Sequence, residues 1–414
     1  MAGVADKARF FLEQAVPQLR EFEDKEIFTR DEIRNLVRKR TDFEHRILAP
    51  GSKAPDFLAY ADWERGLDTL RARRCARLGI RQLTHQHASI GRLGQIHERG
   101  VNRDPGSVQM WRSYLEHLSQ QGAAKRWRRV ATRALRLHPQ DAELWTLVGR
   151  RSAANGDMDG ARAYFLRGCR FCTKGVFIWV EYARVEMEWL AKVESRGKGK
   201  KALAALRKEQ STDDSDQIKL KEDSDESDDD DDGDDGDMIP DREMAAAKAL
   251  ERQQAPKIVD EEAVKKLEKS PALGGAIPRA IFDIAVKQKF FEATSAEAFF
   301  NMFSRFIFTV ESCAELIQHV LDTMMKSFER HPATWDCYIR QPLLPIQDFT
   351  SADFPRALRE SLGRLTHGLE ATERKPELAG KTLSWVVSLL SKQGLDQSIV
   401  TVLEMTKKRM ESLL

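Results

Sequence analysis

Cysteine is scarce in this chain, and the five cysteines do not form a regularly spaced set. They are Cys75, Cys169, Cys172, Cys313 and Cys337. Such a set excludes a disulfide scaffold and predicts free thiols in a reducing compartment. Long apolar runs are also missing, because the most apolar stretch, residues 298–310, contains Arg305 and is too short to span a bilayer. The N-terminus has no apolar signal core, so we expect a soluble intracellular protein.

Glycine and proline are modest in number, with 24 and 14 residues among 414, and β-branched runs are scarce. Apolar residues recur instead at spacings of three and four along most of the chain, which predicts an all-α fold. Residues 1–25 and 31–49 are predicted to form two helices separated by a turn. Thr29 is the expected N-cap of the second helix, and Glu32 stands three residues after it, as in a capping box.

Tryptophan recurs at a fixed interval in the first half of the chain. Trp111, Trp145 and Trp179 are 34 residues apart, and Arg99, Arg133 and Arg167 keep the same step, as do Pro105 and Pro139. Two residue types in one register indicate a repeating unit, and this period is that of helix–turn–helix repeats that stack into a solenoid. Such proteins are usually binding surfaces for other macromolecules, so the period favours assembly over catalysis.

Aromatic residues continue the register along the first helix of each repeat. The stripe contains Phe57, Tyr60, Trp111, Tyr114, Trp145, Trp179 and Tyr182, with Trp335 and Tyr338 repeating the pattern further on. We interpret these side chains as packing between stacked helices rather than as a ligand cage. Arg99, Arg133 and Arg167 are the predicted partners of glutamates such as Glu64 and Glu186, with phosphate contact as the alternative.

Composition divides the chain into four segments. They are an N-terminal helical region at 1–52, a helical-repeat array at 53–195, a linker at 196–277 and C-terminal helical repeats at 278–414. The linker includes residues 211–237, which contain 15 acidic and 2 basic residues. We expect this tract to be disordered. Candidate phosphorylation sites for an acidophilic kinase such as casein kinase II are Ser211, Ser215, Ser224 and Ser227, although a solvated spacer is the alternative.

The charge of the chain is unevenly distributed, although its net value is only +2. Residues 1–210 carry 41 Lys and Arg against 26 Asp and Glu, whereas residues 238–414 are balanced. The candidates for phosphate contact with RNA are Lys125, Arg126, Arg128, Arg129, Arg136, Arg170 and Lys174. The alternative is that these side chains simply decorate solvated helix faces. No exposed aromatic run is predicted, so recognition of an RNA sequence is not indicated.

No group of residues in the sequence supports catalysis, a cofactor or a metal. Cys169 and Cys172 form a lone C-x-x-C pair, without the second pair or histidine cluster that a zinc site requires. The glycines at 197 and 199 lack the remaining residues of a phosphate-binding loop. We therefore predict a non-enzymatic protein without a cofactor.

Two segments resemble a known family. They are residues 15–47, AVPQLREFEDKEIFTRDEIRNLVRKRTDFEHRI, and residues 56–78, DFLAYADWERGLDTLRARRCARL. These segments resemble the U-three small-nucleolar-RNA-associated protein six family, and the repeats that follow are similar to half-a-TPR (HAT) repeats, whose first helix carries Trp-x-x-Tyr and a later Glu. The repeat that contains Trp145 departs from this pattern, because it lacks the Tyr and the Glu.

The resemblance implies a HAT-repeat scaffold of the Utp-B subcomplex of the small-subunit processome, located in the nucleolus. Its implied partners are other Utp-B subunits, mostly β-propeller proteins, with pre-rRNA and the U-three snoRNP in the same particle. The implied role is support of pre-18S rRNA processing and early 40S assembly. Two alternatives remain open, namely a helical-repeat protein that binds RNA directly, and a HAT scaffold of mRNA splicing or 3′-end processing.

Overall fold

The computed structural model describes residues 9–85, 87–210, 274–392 and 395–414, and within 197–210 it describes the backbone alone. In these residues the chain forms α-helices and short 3-10 helices, with no β-strand. The predicted all-α fold class is therefore confirmed. None of the helices in the described ranges is long and apolar enough to cross a membrane. The acidic tract and its four candidate phosphorylation serines lie outside the described residues.

The chain divides into two compact units, residues 1–178 and residues 179–414. The helices of the first unit are α1 (Val16–Asp24), α2 (Arg30–Leu48), α3 (Ala54–Leu78), α4 (Ala88–Arg103), α5 (Val108–Gln120), α6 (Ala124–Leu137), α7 (Ala142–Ala154) and α8 (Met158–Phe171). Helix α9 (Phe177–Gln210) begins at the end of this unit and belongs mainly to the second. The boundaries predicted after residues 52, 195 and 277 remain predictions.

Local sequence signals explain where the helices of the first unit begin and end. The Thr29 hydroxyl accepts a hydrogen bond from the Glu32 amide, and the Glu32 carboxylate accepts one from the Thr29 amide, so the predicted capping box is present. At the starts of α5 and α7, the side chains of Ser107 and Asp141 each accept a hydrogen bond from the amide three residues further on. Helix α3 ends at Gly79, whose φ of 70° is a left-handed conformation that glycine adopts without strain.

The repeats of the first unit are the pairs α3–α4, α5–α6 and α7–α8, whose members pack against each other. Glycine permits close approach between helices at two places in this array. A Cβ atom added to Gly100 would collide with the Met110 side chain, and one added to Gly168 would lie 2.9 Å from Cγ of Trp145. The glycines that follow Arg99 and Arg167 are thus tightly packed against neighbouring helices.

Three tryptophans of the stripe are anchored in the same way. The indole N–H of Trp111 donates to the carbonyl of Pro105 at 2.9 Å, and that of Trp145 donates to the carbonyl of Pro139 at 2.8 Å. Trp335 in the second unit donates to the carbonyl of Glu329, also six residues upstream. The indole therefore pairs with a carbonyl in the turn that follows the preceding helix, one residue beyond its C-cap.

The second unit contains α9 and seven further helices in its described residues. They are α10 (Ala276–Val286), α11 (Ala293–Phe303), α12 (Cys313–Ser327), α13 (Pro332–Arg340), α14 (Asp353–Ala371), α15 (Lys375–Leu390) and α16 (Gln397–Glu411). The sequence predicts a linker up to residue 277, but α10 already begins at Ala276 and includes Pro278 in its first turn. Proline is tolerated there because an amide in the first turn of a helix has no intrahelical acceptor.

Candidate interaction surface

The aromatic stripe of the first unit lies in the interior. Phe57, Tyr60, Trp111 and Tyr114 are almost completely buried, and Trp145 is buried under α8. In the second unit, Trp179 and Tyr182 are buried, whereas Trp335 and Tyr338 are half-buried. A surface cage for a ligand would require these rings to be open to solvent, so their positions support the packing interpretation.

Two of the three repeated arginines form ion pairs between helices. Arg99 of α4 contacts both oxygens of Glu44 on α2, at 2.8 and 3.0 Å. Arg133 of α6 contacts Glu98 on α4 at 2.7 Å. Neither pair involves Glu64, one of the glutamates predicted to pair with the repeated arginines, because Glu64 is engaged by Arg40 and Arg92 instead.

Glu64 on α3 is the centre of a buried charge cluster that the sequence did not reveal. Arg40 of α2 donates to both of its carboxylate oxygens, at 2.7 and 3.1 Å, and Arg92 of α4 approaches to 3.4 Å. Arg40 and Glu64 are each 1% exposed. This cluster joins α2, α3 and α4, so it specifies how the N-terminal helices dock on the first repeat.

Arg167 departs from the prediction, because it is exposed rather than part of the packing. The reason lies in the register. The residue 34 positions after Glu98 is Thr132, and the one 34 positions after Asn102 is Arg136. The two groups that hold Arg133 therefore have no counterparts for Arg167, whose guanidinium stays at the surface.

A polar network joins the second repeat to the first. The Tyr114 hydroxyl donates to Glu98 at 2.8 Å and accepts a hydrogen bond from Nε of Arg126 at 3.0 Å. Burial and the neighbouring Glu98 raise the pKa of Tyr114 to about 12. Burial alone would raise the pKa of Glu98, but the hydrogen bonds from Arg133 and Tyr114 lower it, so the carboxylate stays charged. Arg126, a candidate for RNA contact, is thus already engaged within the protein.

The other basic residues of α6 form one continuous face. Lys125, Arg128, Arg129 and Arg136 are exposed and recur at helical spacing, opposite the buried side chains of Trp127 and Val130. In the part of the chain that the structure describes, none of these four cations has an acidic partner. We call these four residues the α6 basic face.

A second basic surface lies at the end of α8 and includes an aromatic ring. Arg167, Arg170 and Lys174 are exposed, and the ring of Phe171 is 53% exposed. Arg170 and Lys174 are among the sequence candidates for RNA contact. Phe171 stacks on Trp145 with ring centroids 6.0 Å apart and ring planes 9° apart. Phe171 is a single exposed ring beside these cations, and the sequence prediction, which concerned only a run of exposed aromatic residues, did not identify it.

The cysteines and histidines do not assemble into a reactive site in the described residues. All five thiols are free and buried, and desolvation raises the pKa of Cys169 to about 12 and that of Cys172 to about 11. Both are thiols rather than the thiolates that bind zinc. No group of three or more His, Cys, Asp or Glu in the described ranges is placed to hold a metal ion. His97 and His117 stack in the interior, and burial lowers the pKa of each to about 4.

Comparison with known proteins shows similarity over part of the chain. The family model described as U3 small nucleolar RNA-associated protein 6 matches residues 12–120. A Schizosaccharomyces pombe protein of that name is 32% identical over 196 residues, which are 47% of this chain and 40% of the relative. The Homo sapiens protein named as its homolog is 25% identical over 179 residues, 42% of this chain and 30% of the relative. The chain thus matches less than half the length of these curated relatives. Over the matched residues, the chain is thus similar to proteins named U3 small nucleolar RNA-associated protein 6.

Proposed function

We propose that this protein is a non-catalytic scaffold subunit of the Utp-B subcomplex of the small-subunit processome. In this role it associates with the U3 snoRNP and supports pre-18S rRNA processing and early 40S assembly in the nucleolus. The observation that carries the proposal is a helical-repeat array joined to a segment that matches the family over residues 12–120. The choice of particle is based on the names of the relatives, which refer to U3 small nucleolar RNA.

The mechanism of a scaffold is positioning. Tryptophan packing and inter-helix ion pairs make each repeat a defined block, so the surfaces of successive repeats keep fixed spacings. Partner subunits, expected to be mainly β-propeller proteins, would bind several such surfaces at once. Several modest contacts on one chain act together through their high effective concentration.

The state of the titratable groups supports a non-catalytic role. A general base or nucleophile needs a pKa tuned toward the working pH and a position in an accessible cleft. His97 and His117 are instead buried and neutral, and the buried Cys169 thiol has a pKa of about 12. These shifts arise from burial in the packed array rather than from a charge partner in a site.

Crosslinking mass spectrometry of the native particle tests the proposal. The full chain is tagged in cells of its own species and purified under conditions that preserve ribonucleoprotein particles. We expect crosslinks from residues 57–190 to β-propeller proteins, together with enrichment of U3 RNA. Enrichment of spliceosomal RNAs or of mRNA 3′-end factors without U3 RNA would instead support the alternative HAT scaffold and contradict the proposal.

A second candidate function is direct RNA binding, which the α6 basic face favours. Its four cations lack acidic partners in the described residues, so they can neutralise phosphates without breaking an internal ion pair. A salt titration of RNA affinity separates the two functions, since a pure protein scaffold has no affinity that falls steeply with salt. The two roles are compatible in one chain.

A further inference from the structure

The ring of Phe171 is held as a rigid platform at the end of α8. It lies nearly parallel to the Trp145 indole, which is itself fixed by its hydrogen bond to the Pro139 carbonyl. The ring thus packs against a buried residue, while 53% of the side chain remains exposed. The conformational entropy that a free aromatic side chain loses on binding is already lost here in folding.

Three basic residues lie close to Phe171 in the sequence. Arg167, Arg170 and Phe171 stand at i, i+3 and i+4 on α8, so they share one face of the helix. Lys174 follows three residues after the helix ends, and all three cations are exposed. None of them forms an ion pair within the described residues. Their charge is therefore available to an external anion.

We propose that Arg167, Arg170, Phe171 and Lys174 form a binding site for single-stranded RNA. An unpaired base stacks on the open face of Phe171, and the cations contact the phosphates on either side of it. The inference rests on the proposed function only for its setting, a particle that contains RNA. We call these four residues the α8 stacking site.

The combination of a flat ring and cations favours a single strand over other anions. A duplex keeps its bases stacked on one another, so it can use the cations but not the ring. An acidic peptide can also use the cations, but its carboxylates do not stack. The preceding repeat offers a comparison without an aromatic ring. Its position equivalent to Phe171 is Leu137, which is equally exposed.

The test measures the affinity of the full chain for a defined single strand. A fluorescein-labelled oligouridylate of about twelve nucleotides, within the usual site size of single-strand binding proteins, is titrated and followed by fluorescence anisotropy. A duplex RNA of the same length and an acidic peptide with interspersed leucines serve as competitors. We expect the single strand to compete best and the peptide to compete least.

The variant Phe171→Leu isolates the stacking contribution. Leucine occupies the equivalent position 137, so the repeat tolerates it and the chain should fold normally. We expect the affinity for the single strand to fall about tenfold or more, with little change in affinity for the duplex. Phe171→Tyr should retain the affinity, because tyrosine also stacks. The control Phe308→Leu removes a ring that is 50% exposed in the second unit and should have no effect.

The cation contribution is tested by salt. Replacing Arg167, Arg170 and Lys174 by alanine should reduce the slope of log affinity against log salt by roughly 2, since each neutralised phosphate of a single strand contributes about 0.7. The matched control replaces Lys125, Arg128 and Arg129 of the α6 basic face. It should also lower the slope, but Phe171→Leu should still weaken binding in that background.

Two results would overturn the stacking site. One is an unchanged single-strand affinity in Phe171→Leu, and the other is a peptide that displaces the RNA at lower concentration than unlabelled single strand does. Neither result would touch the proposed function, which is judged by the crosslinks and by U3 RNA enrichment. Conversely, a Phe171→Leu chain that joins the particle but loses affinity for the single strand would support both.

Discussion

At the scale of single residues, the first unit depends on a few positions that have no room for change. Gly168 is one of them, because Trp145 and Ile178 occupy the space that a Cβ would need. The Glu64 carboxylate is another, since it neutralises the buried guanidinium of Arg40. In both cases the constraint comes from contacts between helices. A substitution there therefore weakens the packing between helices rather than the stability of one helix.

We predict that Gly168→Ala lowers the free energy of unfolding by about 1–3 kcal/mol, the usual cost of an overpacked core. The rigid Cγ and Cβ atoms of Trp145 cannot move aside as a flexible side-chain end would. Urea denaturation measures the change. The matched control is Gly91→Ala on α4, where nothing lies within 4 Å and where alanine should stabilise the helix by up to about 1 kcal/mol. Equal effects of both substitutions would contradict the packing described.

Removal of the Glu64 carboxylate tests the buried charge cluster. Glu64→Ala leaves Arg40 buried without its anion, and breaking such a pair costs about 3–5 kcal/mol. The comparison is Glu13→Ala, which breaks the fully solvated pair with Arg9 and should cost less than about 1 kcal/mol. A shift of the denaturation midpoint that is similar in the two variants would show that the cluster is not buried in solution.

We predict that the protein loses stability in mild acid because His97 and His117 are buried. Burial lowers the pKa of each from 6.5 to about 4 in the folded state, so the unfolded chain binds more protons between these values. Their contribution to stability is complete above pH 6.5 and is lost as the pH falls through 4. Replacing both by glutamine should flatten the pH dependence in this window, whereas replacing the exposed His367 should not. An unchanged slope in the double variant would contradict the buried, neutral state.

At the scale of helices, the residues near the N-terminal end of each helix determine where it starts. The capping box of α2 was predictable because Thr29 and Glu32 act within four residues. The early start of α10 was not, because Pro278 is a helix breaker in most positions and is harmless only in a first turn. Local chemistry therefore predicts the existence of a helix better than its first residue.

Loss of the α2 capping box gives an element-scale prediction. Thr29→Ala removes the acceptor of the Glu32 amide and should lower the free energy of unfolding by about 1 kcal/mol. Thr69→Ala in the exposed interior of α3 is the control, because it removes no cap and places a better helix former there. Differential scanning calorimetry compares the two variants, and a stabilised Thr29→Ala would exclude the capping role.

At the scale of the whole molecule, the 34-residue register predicted which helix faces are buried, because the same face of each repeat must meet its neighbour. It did not predict the partners of charged side chains. Arg167 occupies the register of Arg133 but has no carboxylate to meet, and Glu64 pairs with Arg40 from outside the repeats. The packing of the helices recurs from one repeat to the next, whereas each ion pair depends on the two particular residues present.

The scaffold role in a U3-containing particle is tested most directly by co-purification. Tagged full-length chain is expressed in cells of its own species as the natural sequence, as Gly168→Ala, and as the control Gly91→Ala, and the U3 RNA recovered is quantified. We predict strong enrichment of U3 RNA with the natural chain and with Gly91→Ala, and reduced recovery with Gly168→Ala, in which the array is overpacked. Absence of U3 RNA from the natural chain's purification would contradict the account.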